Sequence, residues 1–312
     1  MAGGMVDPNA PDNGQSSGMI DKLELFLALA RERHFGRAAE ACNISQPTLS
    51  SAIKQLEEQL GVQLVRRGAR FQGLTAEGER TLEWARRIIG DTRTLQAEMR
   101  AAKAGLSGNA TIAAIPTALA MVHELTTALS ARYPDVTYTI LSRTSAQILE
   151  MVGNLEADIG ITYLDNEPLG AVLSIPIYRE SYLFVTARES PLAGRSTITW
   201  KEAAQATLCL LTPDMQNRRI VDGYISQSGA TARPIIETDS VIVMVSHIMN
   251  GSCSGILPGK TAGMFEGFER IRLIPLTDPV GSHIVGAVAA RNDPHTPLVD
   301  ALLRQCREMA VD

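Results

Sequence analysis

Apolar residues recur at helical spacing near the amino terminus, and the pattern predicts two short helices separated by a tight turn. The first covers residues 37–42 and contains the small pair Ala38-Ala39, which lets another helix approach closely. Ser45 then provides an N-cap, and Pro47 fits the first turn of the second helix, where its missing N–H costs nothing. One face of this second helix is an apolar stripe of Leu49, Ile53, Leu56 and Leu60.

The opposite face of the second helix carries side chains that can hydrogen-bond to base edges and phosphates in a DNA major groove. These are Gln46, Thr48, Ser50, Ser51, Lys54 and Gln55. A solvated surface helix has the same pattern, so the flanking residues matter. After Gly61, residues 62–74 predict a hairpin, and its arginines Arg66, Arg67 and Arg70 suit phosphate contacts. Together these segments indicate a winged helix-turn-helix whose partner is double-stranded DNA.

Residues 75–105 predict one long helix, capped by Thr75 and roughly 40 Å in length. Apolar side chains recur along it as in a coiled-coil seam, at Leu82, Ala85, Ile89, Leu95 and Met99. The alternative is a helix that packs on its own domain. We expect a dimer seam, because a lone helix of this length has little else to pack against. Two recognition helices would then read an inverted repeat in promoter DNA.

After residues 105–108 the pattern changes to alternating strands and helices. Runs rich in β-branched residues predict strands at 111–115, 136–141, 159–162, 182–186, 208–211, 235–237, 255–257 and 284–289. Helices are predicted between them at 119–132, 146–155, 217–227, 240–249 and 297–309. The alternation favours a mainly parallel sheet with helices on both faces, and the number of strands favours two subdomains.

Charge is distributed unevenly along the chain. Its 312 residues predict two or three domains, and its net charge of −5 alone argues against binding nucleic acid. However, residues 19–105 contain 14 Lys and Arg against 11 Asp and Glu, whereas the remainder contains 15 against 23. The positive charge therefore coincides with the predicted DNA-binding segment.

The four cysteines, Cys42, Cys209, Cys253 and Cys306, include no C-x-x-C pair and no histidines at metal-binding spacing. This usage fits a reducing cytoplasm and predicts neither a metal nor a cofactor. No apolar run approaches the roughly 20 residues that span a bilayer, so no membrane contact is expected. Residues 1–18 lack the basic start and apolar core of a signal peptide, and their composition predicts a disordered extension.

Residues 20–84 resemble the DNA-binding domain of LysR-type transcriptional regulators. The resemblance is carried by Phe35, Ala38-Ala39, Ser45-Gln46-Pro47, Ser50, Leu56-Glu57, Leu60-Gly61, Leu64, Arg67, Leu74-Thr75 and Gly78. It implies two sets of DNA contacts: Gln46, Pro47, Ser50 and Ser51 at bases, and Lys54, Arg66, Arg67 and Arg70 at phosphates. Three positions depart from the family pattern. Ser51 stands where many members carry arginine, Val65 replaces a more usual phenylalanine, and His34, interpreted as a cap or surface residue, replaces a small residue.

The resemblance also implies an α/β fold in three parts: a winged helix-turn-helix at 19–74, a dimerising linker helix at 75–105, and an effector domain. This domain would have two periplasmic-binding-protein-like (type II) lobes, the first at 109–167 plus 281–312 and the second at 168–280. The chain would then be a cytoplasmic homodimer, assembling further into a homotetramer, that regulates transcription together with RNA polymerase.

Three strand-to-helix junctions place hydroxyl and backbone N–H groups at helix starts, which suits a small anionic effector. Their candidate residues are Pro116, Thr117 and Ala118, then Thr144 and Ser145, and then Thr238 and Asp239. Pro213 is expected to close the site from the second lobe. For each hydroxyl the alternative is simple helix capping. The resemblance assigns effector contact to Thr117 and Thr144. A likeness to members encoded beside molybdenum formate dehydrogenases points to formate or another small carboxylate.

The turn at 251–255 has the sequence Gly-Ser-Cys-Ser-Gly, which is the form of a nucleophile elbow. It allows two further functions. In a thiol hydrolase, Cys253 would be the nucleophile, His247 or His283 the base and Asp239 its orienting partner. An elbow follows a strand and precedes a helix, and the predicted order here is the reverse, so we expect no enzyme. Redox regulation through Cys253, with Cys209 as its companion, remains the alternative to an anionic effector. A solute-binding protein is disfavoured by the DNA-binding segment and the lack of an export signal.

Overall fold

The computed structural model describes residues 18–66, 68 and 71–310, and the chain divides into two compact units at Thr92/Arg93. The predicted amino-terminal extension, Arg67 and Arg70 lie outside the described residues, apart from Gly18. The first unit contains three helices and the start of a long fourth helix that continues into the second unit. These helices are α1 (Met19–Glu32), α2 (Phe35–Ala41), α3 (Gln46–Leu60) and α4 (Ala76–Ala104).

Helices α2 and α3, predicted from the sequence, and α1, which was not predicted, share an apolar core. Its buried side chains are Leu23, Phe26, Leu27, Leu29, Ala38, Ala39, Leu49, Ala52, Ile53 and Leu56. Leu60, predicted to continue the stripe of α3, is instead 39% exposed, because α3 ends there and Gly61 turns the chain at φ +71. Val65 and Leu74 then pair in an antiparallel bridge, which is the described part of the predicted wing.

The second unit alternates strands and helices. Its strands are β1 (Gly108–Ala114), β2 (Val136–Ser142), β3 (Ile159–Tyr163), β4 (Val172–Glu180), β5 (Tyr182–Ala187), β6 (Ile198–Thr199), β7 (Cys209–Leu211), β8 (Ile236–Thr238), β9 (Gly255–Pro258), β10 (Ile271–Thr277) and β11 (His283–Ala290). Its further helices are α5 (Leu119–Arg132), α6 (Ser145–Gly153), α7 (Trp200–Ala203), α8 (Gln216–Gln227), α9 (Val241–Met249), α10 (Gly259–Gly263) and α11 (Pro297–Met309). A 3₁₀ turn, Pro116–Ala118, follows β1.

Five strands form the sheet of the first lobe, in the order β2-β1-β3-β11-β4. Strand β1 is parallel to β2 and β3, whereas β11 is antiparallel to both β3 and β4. The prediction of a mainly parallel sheet is therefore wrong, since half of the strand pairs in this sheet are antiparallel. Helices α5, α6 and α11 pack against its strands and bury a continuous core.

The second lobe contains a four-stranded sheet in the order β6-β10-β5-β9 and a two-stranded sheet of β7 and β8. The lobe boundary predicted at 167/168 is too early. Strand β4 follows it, yet β4 pairs with β11 of the first sheet from Val172↔Ala290 to Glu180↔His283. The chain therefore crosses between the lobes at Glu180 and Tyr182, and returns between Thr277 and His283.

Candidate nucleic-acid interface and interlobe cleft

Helix α3 presents a polar face to solvent and is capped at its start. Ser45 Oγ accepts the Thr48 N–H at 3.3 Å and lies 2.8 Å from the Thr48 hydroxyl. The predicted DNA-contacting residues of this helix are all exposed: Gln46, Pro47, Thr48, Ser50, Ser51 and Lys54. Their shared accessibility is what a recognition helix requires, and their individual contacts with bases or phosphates stay predictions.

The base of the wing is fixed to α3 by a carboxylate that the family resemblance included without assigning it a role. Glu57 Oε1 accepts the N–H groups of Leu64 at 2.7 Å and Val65 at 3.1 Å. Arg66 is exposed, and its Nε donates to the Leu74 carbonyl at 3.1 Å across the wing. The wing thus holds the guanidinium of Arg66 in place, and its contact with a phosphate stays a prediction. Arg67 and Arg70, which complete that prediction, lie outside the described residues.

His34, which departs from the family pattern, and Gly78, which matches it, both have a structural explanation. His34 Nδ1 accepts the N–H groups of Gly36 at 3.1 Å and Arg37 at 3.3 Å, so the interpretation as a helix cap is confirmed. Gly78 lies so close to the wing that a Cβ there would be 2.1 Å from the Leu64 carbonyl oxygen. Only glycine permits this approach of α4 to the wing.

Three hydroxyls at the carboxyl edge of the first sheet are buried without a hydrogen-bond partner. They belong to Thr117 (1% exposed), Ser145 (4%) and Thr162 (0%), and each is unpaired within the part of the chain that the structure describes. Thr117 follows β1, Ser145 is the first residue of α6, and Thr162 is the penultimate residue of β3. Strands β1 and β3 are parallel neighbours, so their carboxyl ends lie together.

The packing of α6 places two of these hydroxyls on the same side of the sheet. A Cβ on Gly160 would meet Ile148 and Val152 of α6, so this face of β3 lies against α6. Thr162 shares that face, because side chains two residues apart in a strand point the same way. Ser145 begins α6, where backbone N–H groups are unpaired and the helix dipole is positive. The Ser145 and Thr162 hydroxyls therefore lie on the side of this sheet edge that α6 covers.

The other predicted effector residues are placed less favourably. Pro116 and Ala118 are buried beside Thr117. Thr144 forms a capping box: its Oγ1 accepts the Gln147 N–H at 3.2 Å, and Gln147 Oε1 accepts the Thr144 N–H at 3.0 Å. In the second lobe, Thr238 Oγ1 accepts the Ser240 N–H at 3.1 Å. Thr144 is thus a helix cap, whereas the Thr238 hydroxyl stabilises the turn before α9, whose own cap is Ser240.

Pro213 and Asp239 are exposed at the ends of β7 and β8, as expected for residues at the rim of a cleft. The lobes meet, however, through a different helix. In the first turn of α8, Asn217 Nδ2 donates to the Tyr163 hydroxyl at 3.0 Å and Gln216 Nε2 donates to the Asp165 carbonyl at 3.2 Å. The guanidinium of Arg219, in the same helix, pairs with Glu167 at 2.6 Å.

A second contact between the lobes involves α10. Lys260 Nζ is 2.8 Å from Glu124 Oε1, and the Thr261 hydroxyl donates to the Thr117 carbonyl. Thr117 therefore has its carbonyl bound by the second lobe while its hydroxyl is unpaired. No local sequence pattern signals these contacts, because each joins residues more than 50 positions apart.

Both chain crossings between the lobes carry polar groups, which are buried at the first crossing and half-buried at the second. At the first crossing, Glu180 is 2% exposed and accepts hydrogen bonds from the hydroxyls of Tyr163 at 2.6 Å and Tyr178 at 3.5 Å. Burial raises the pKa of Glu180 to about 8, although the two hydroxyls and Lys260 partly oppose this shift. Burial next to Glu180 also raises the pKa of the Tyr163 and Tyr182 hydroxyls. Glu180 is therefore mostly neutral at pH 7.

At the second crossing, His283 links three elements. Its Nδ1 lies 3.1 Å from Asp165 Oδ1, and its Nε2 lies 3.1 Å from the Tyr224 hydroxyl. Asp165 Oδ2 also accepts the Ile284 N–H at 3.1 Å. Tyr224 stacks on Trp200, with ring centroids 4.7 Å apart. His283 thus serves as a structural junction of the lobes rather than as a base beside Cys253.

Two sequence-family models match this chain. The LysR substrate binding domain matches residues 103–311, and the lysR-family bacterial regulatory helix-turn-helix protein matches residues 20–79. The chain belongs to the LysR family. It is accordingly a LysR-type DNA-binding transcriptional regulator, with an amino-terminal helix-turn-helix and a LysR substrate-binding domain.

Relatives and solved structures of the LysR family match along most of the chain. The DNA-binding transcriptional dual regulator OxyR of Escherichia coli is 26% identical over 276 residues, which are 88% of this chain and 90% of that protein. A full-length OxyR from Pseudomonas aeruginosa has a TM-score of 0.71 at 23% identity, covering 92% and 97% of the two chains. CbnR, solved with its target DNA, has a TM-score of 0.57 at 21% identity, covering 93% and 99%. These structures support the fold.

The residues predicted to line a dimer seam in this LysR-type chain fall on two different faces of α4. Leu82, Ala85 and Ile89 are at most 7% exposed within one protomer, so they are not free to contact a partner. Leu95 and Met99 are each 60% exposed. Trp84, which the prediction omitted, is also 60% exposed. With 100° per residue, Trp84, Leu95 and Met99 lie within about 60° of one another on the helix surface.

The turn that resembles a nucleophile elbow follows helix α9 and precedes strand β9. This order is the reverse of an elbow, as the sequence pattern predicted. The thiol of Cys253 lies beside Ser252 and Cys209. Among the described residues, no helix is long and apolar enough to cross a membrane, and no group of three or more His, Cys, Asp or Glu side chains is arranged to hold a metal ion.

The raised pKa of Glu180 predicts a pH-dependent stability that Glu180→Gln removes. The folded chain keeps the proton up to about pH 8, whereas the unfolded chain loses it near the ordinary glutamate pKa of 4.5. The unfolded state therefore binds fewer protons in this window, and the group's contribution to stability falls as pH rises, by up to about 1.4 kcal/mol per pH unit. Urea unfolding between pH 5 and 8.5 should show this fall for the wild type and a flatter profile for Glu180→Gln. Parallel profiles would contradict the assignment.

Proposed function

We propose that this LysR-type regulator responds to a small anion, of the size of formate or another small carboxylate, bound at the carboxyl edge of the first lobe. The observation that carries the proposal is the set of unpaired buried hydroxyls of Thr117, Ser145 and Thr162. A buried hydroxyl without a partner costs roughly 1–3 kcal/mol, so three at one edge favour a ligand that accepts their hydrogen bonds. Thr144 and Thr238, also predicted to contact the effector, are not counted among these donors, because their side-chain oxygens accept backbone N–H groups and the Thr144 N–H is bonded to Gln147.

The donor set limits the class of effector. Hydroxyls and the backbone N–H groups at the start of α6 suit one compact acceptor with one negative charge. A large polyanion would require several guanidinium groups, and the three hydroxyl-bearing residues are nearly fully buried. Formate, acetate and similar carboxylates satisfy both conditions. The second lobe would close over the anion. Thr261 would take part through its contact with Thr117, and Pro213 and Asp239 would lie near the rim.

Helix α6 offers a route from the anion to the linker helix. Its first residue, Ser145, belongs to the proposed anion site. The Leu155 carbonyl, just beyond its carboxyl end, accepts a hydrogen bond from Arg93 of α4 at 2.9 Å. Thr94 of α4 donates to the Pro294 carbonyl in the same lobe at 3.4 Å. A shift of α6 on anion binding would therefore reach α4 directly, and through it the spacing of the DNA-binding units on bent DNA.

The regulator is proposed to act in the cytoplasm as a homodimer joined through the exposed stripe of α4, with tetramers formed by pairing of the lobes. CbnR, a relative in this family, has been solved in complex with its target DNA, and we propose that this chain binds DNA through α3. Contact with RNA polymerase is proposed from family membership alone.

Removing the unpaired hydroxyls should abolish an anion response without loss of stability. Ser145→Ala and Thr162→Val each delete a buried hydroxyl that has no partner, so their melting temperatures without ligand should equal or exceed that of the wild type. A thermal-shift panel of formate, acetate, nitrate, molybdate and larger carboxylic acids should give a saturable increase for the wild type and none for these variants. Ser246→Ala, which removes an exposed hydroxyl of α9, is the control and should respond like the wild type. A shift that survives in both variants would place the anion elsewhere.

Loss of a contact with a base and loss of a contact with a phosphate should change different measured quantities of DNA binding. Ser50→Ala should reduce the preference of the protein for its operator over unrelated DNA. Arg66→Ala should weaken binding to all DNA and lower the slope of log K against log salt by about 1, because one phosphate contact is lost. Fluorescence anisotropy at several salt concentrations measures both quantities, with Arg132→Ala in the second unit as the control. Equal losses on all sequences from both variants would refute the assigned roles.

The exposed stripe on α4 predicts which substitution dissociates the dimer. Leu95→Glu places a charge in the proposed seam and should yield folded monomers in sedimentation velocity. Gln96→Glu introduces the same side chain one position along, off the stripe, and should leave the dimer intact. A dimer that survives Leu95→Glu, or a dimer that Gln96→Glu dissociates, would place the seam on another face of α4.

A further inference from the structure

The second lobe brings two thiols together. Cys209 lies on β7 and is fully buried, and Cys253 lies in the turn before β9 and is 5% exposed. Leu208 and Ser254 form a parallel bridge, and the Cys209 N–H donates to the Ser254 carbonyl at 2.8 Å. Cys209 and Cys253 are each one residue from this bridge, so their side chains lie on the same face. The two thiols are within hydrogen-bonding reach of each other.

One of the two thiols can be reached from outside. Cys253 lines a surface cavity of about 430 Å³, together with Thr186, Gln205, Thr207 and Ser252. The rest of the lining mixes the Glu189 carboxylate with apolar side chains such as Leu192, so the cavity suits a small uncharged polar molecule. Cys209 is not among the residues that line it. A reagent that enters the cavity therefore meets Cys253 first and reaches Cys209 only through it.

The two thiols also differ in how readily they ionise. Burial raises the pKa of Cys209 to about 12, and the neighbouring Cys253 adds to the shift. Burial also raises the pKa of Cys253, but contacts with Ser252 and Cys209 partly oppose this. Since the thiolate is the nucleophile, Cys253 is the thiol that reacts first. The raised values make the reaction slow at neutral pH and faster as pH rises.

We propose that Cys253 and Cys209 form an oxidation site, in which a small hydroperoxide enters the cavity, oxidises Cys253, and Cys209 then closes a disulfide. In the first step the Cys253 thiolate attacks a peroxide oxygen, the O–O bond breaks, and the leaving hydroxide takes a proton to form water. In the second step the Cys209 sulfur attacks the sulfenic sulfur of Cys253 and the S–O bond breaks. The hydroxide released takes the Cys209 proton, so two thiols and one hydrogen peroxide give one disulfide and two waters.

A disulfide here would alter the core of the second lobe. Cys209 and Cys253 pack in one apolar cluster with Met244, Val245 and Ile248 of α9. Closing the disulfide bond draws the 251–254 turn toward β7 and so changes the apolar surface against which α9 packs. Any effect on DNA binding rests on the proposed regulatory function, whereas formation of the disulfide does not. The alternative is a pair of inert buried thiols.

The test uses the full-length protein treated with hydrogen peroxide, then alkylated, digested without reductant and analysed by mass spectrometry. We expect a linked peptide pair containing Cys209 and Cys253, reversed by dithiothreitol, with a rate that rises about tenfold per pH unit below the thiol pKa. Cys209→Ser should stop at a sulfenic acid on Cys253 that dimedone traps. Cys306→Ser, which removes a buried thiol outside the cavity, should form the disulfide at the wild-type rate.

Three results would overturn the inference: no linked pair in the wild type or in Cys306→Ser, oxidation of Cys42 or Cys306 before Cys253, or oxidation of Cys209 in Cys253→Ser. The wild type and Cys306→Ser decide the matter even if Cys209→Ser does not fold. Anion-induced thermal shifts measured on oxidised and reduced protein report separately on the anion site, so failure of one proposal is distinguishable from failure of the other.

Discussion

The antiparallel position of β11 between β3 and β4 determines how the two lobes are joined. Because β4 leaves the first sheet and β11 returns to it as its neighbour, both crossings lie side by side. The pairing depends on Gly286, where a Cβ would be 2.2 Å from the Ile175 carbonyl oxygen. The register shifts at this glycine, opposite Pro176, which cannot donate a ladder hydrogen bond. A side chain at position 286 would force the two crossing strands apart.

Placing both crossings side by side also buries polar groups that a hinge elsewhere would leave in water. Glu180 ends β4 and His283 begins β11, and the two are register partners. Glu180 remains in this environment as a neutral acid, hydrogen-bonded to Tyr163, whose hydroxyl also accepts from Asn217 of the second lobe. Buried hydrogen bonds of this kind are costly to break one at a time. Opening the lobes separates Asn217 from Tyr163, so the arrangement of the lobes and the hydrogen bonding of the crossing are coupled.

Sequence patterns predicted the elements with strong local signals and missed those that depend on distant partners. Helices 119–132 and 297–309 were predicted at their observed bounds, since each has a clear apolar stripe and turn residues at its ends. Strands β4 and β10 were missed because Pro176 and Pro275 interrupt them, and a proline normally argues against a paired strand. The missed β4 in turn put the lobe boundary about a dozen residues too early.

The two stripes on α4 illustrate a different limit. A helix with apolar residues at three- and four-residue spacing has a predictable period, but the period does not say which stripe is covered by the same chain. Leu82, Ala85 and Ile89 are buried in the protomer, and Leu95 and Met99 are not. Only the tertiary packing distinguishes them, so the prediction merged an intramolecular face with the exposed one.

The sequence also does not distinguish hydroxyls that cap helices from hydroxyls that are buried without a hydrogen-bond partner. Ser45, Thr144, Ser240 and Thr296 each accept a backbone N–H at a helix start, which fully explains their presence. Thr117, Ser145 and Thr162 have the same chemistry, but their hydroxyls are buried and unpaired. An alanine or valine at these positions would avoid that cost and still fill the core. In the proposed function, a bound acceptor would offset this cost, whereas none of the three hydroxyls takes part in a helix cap.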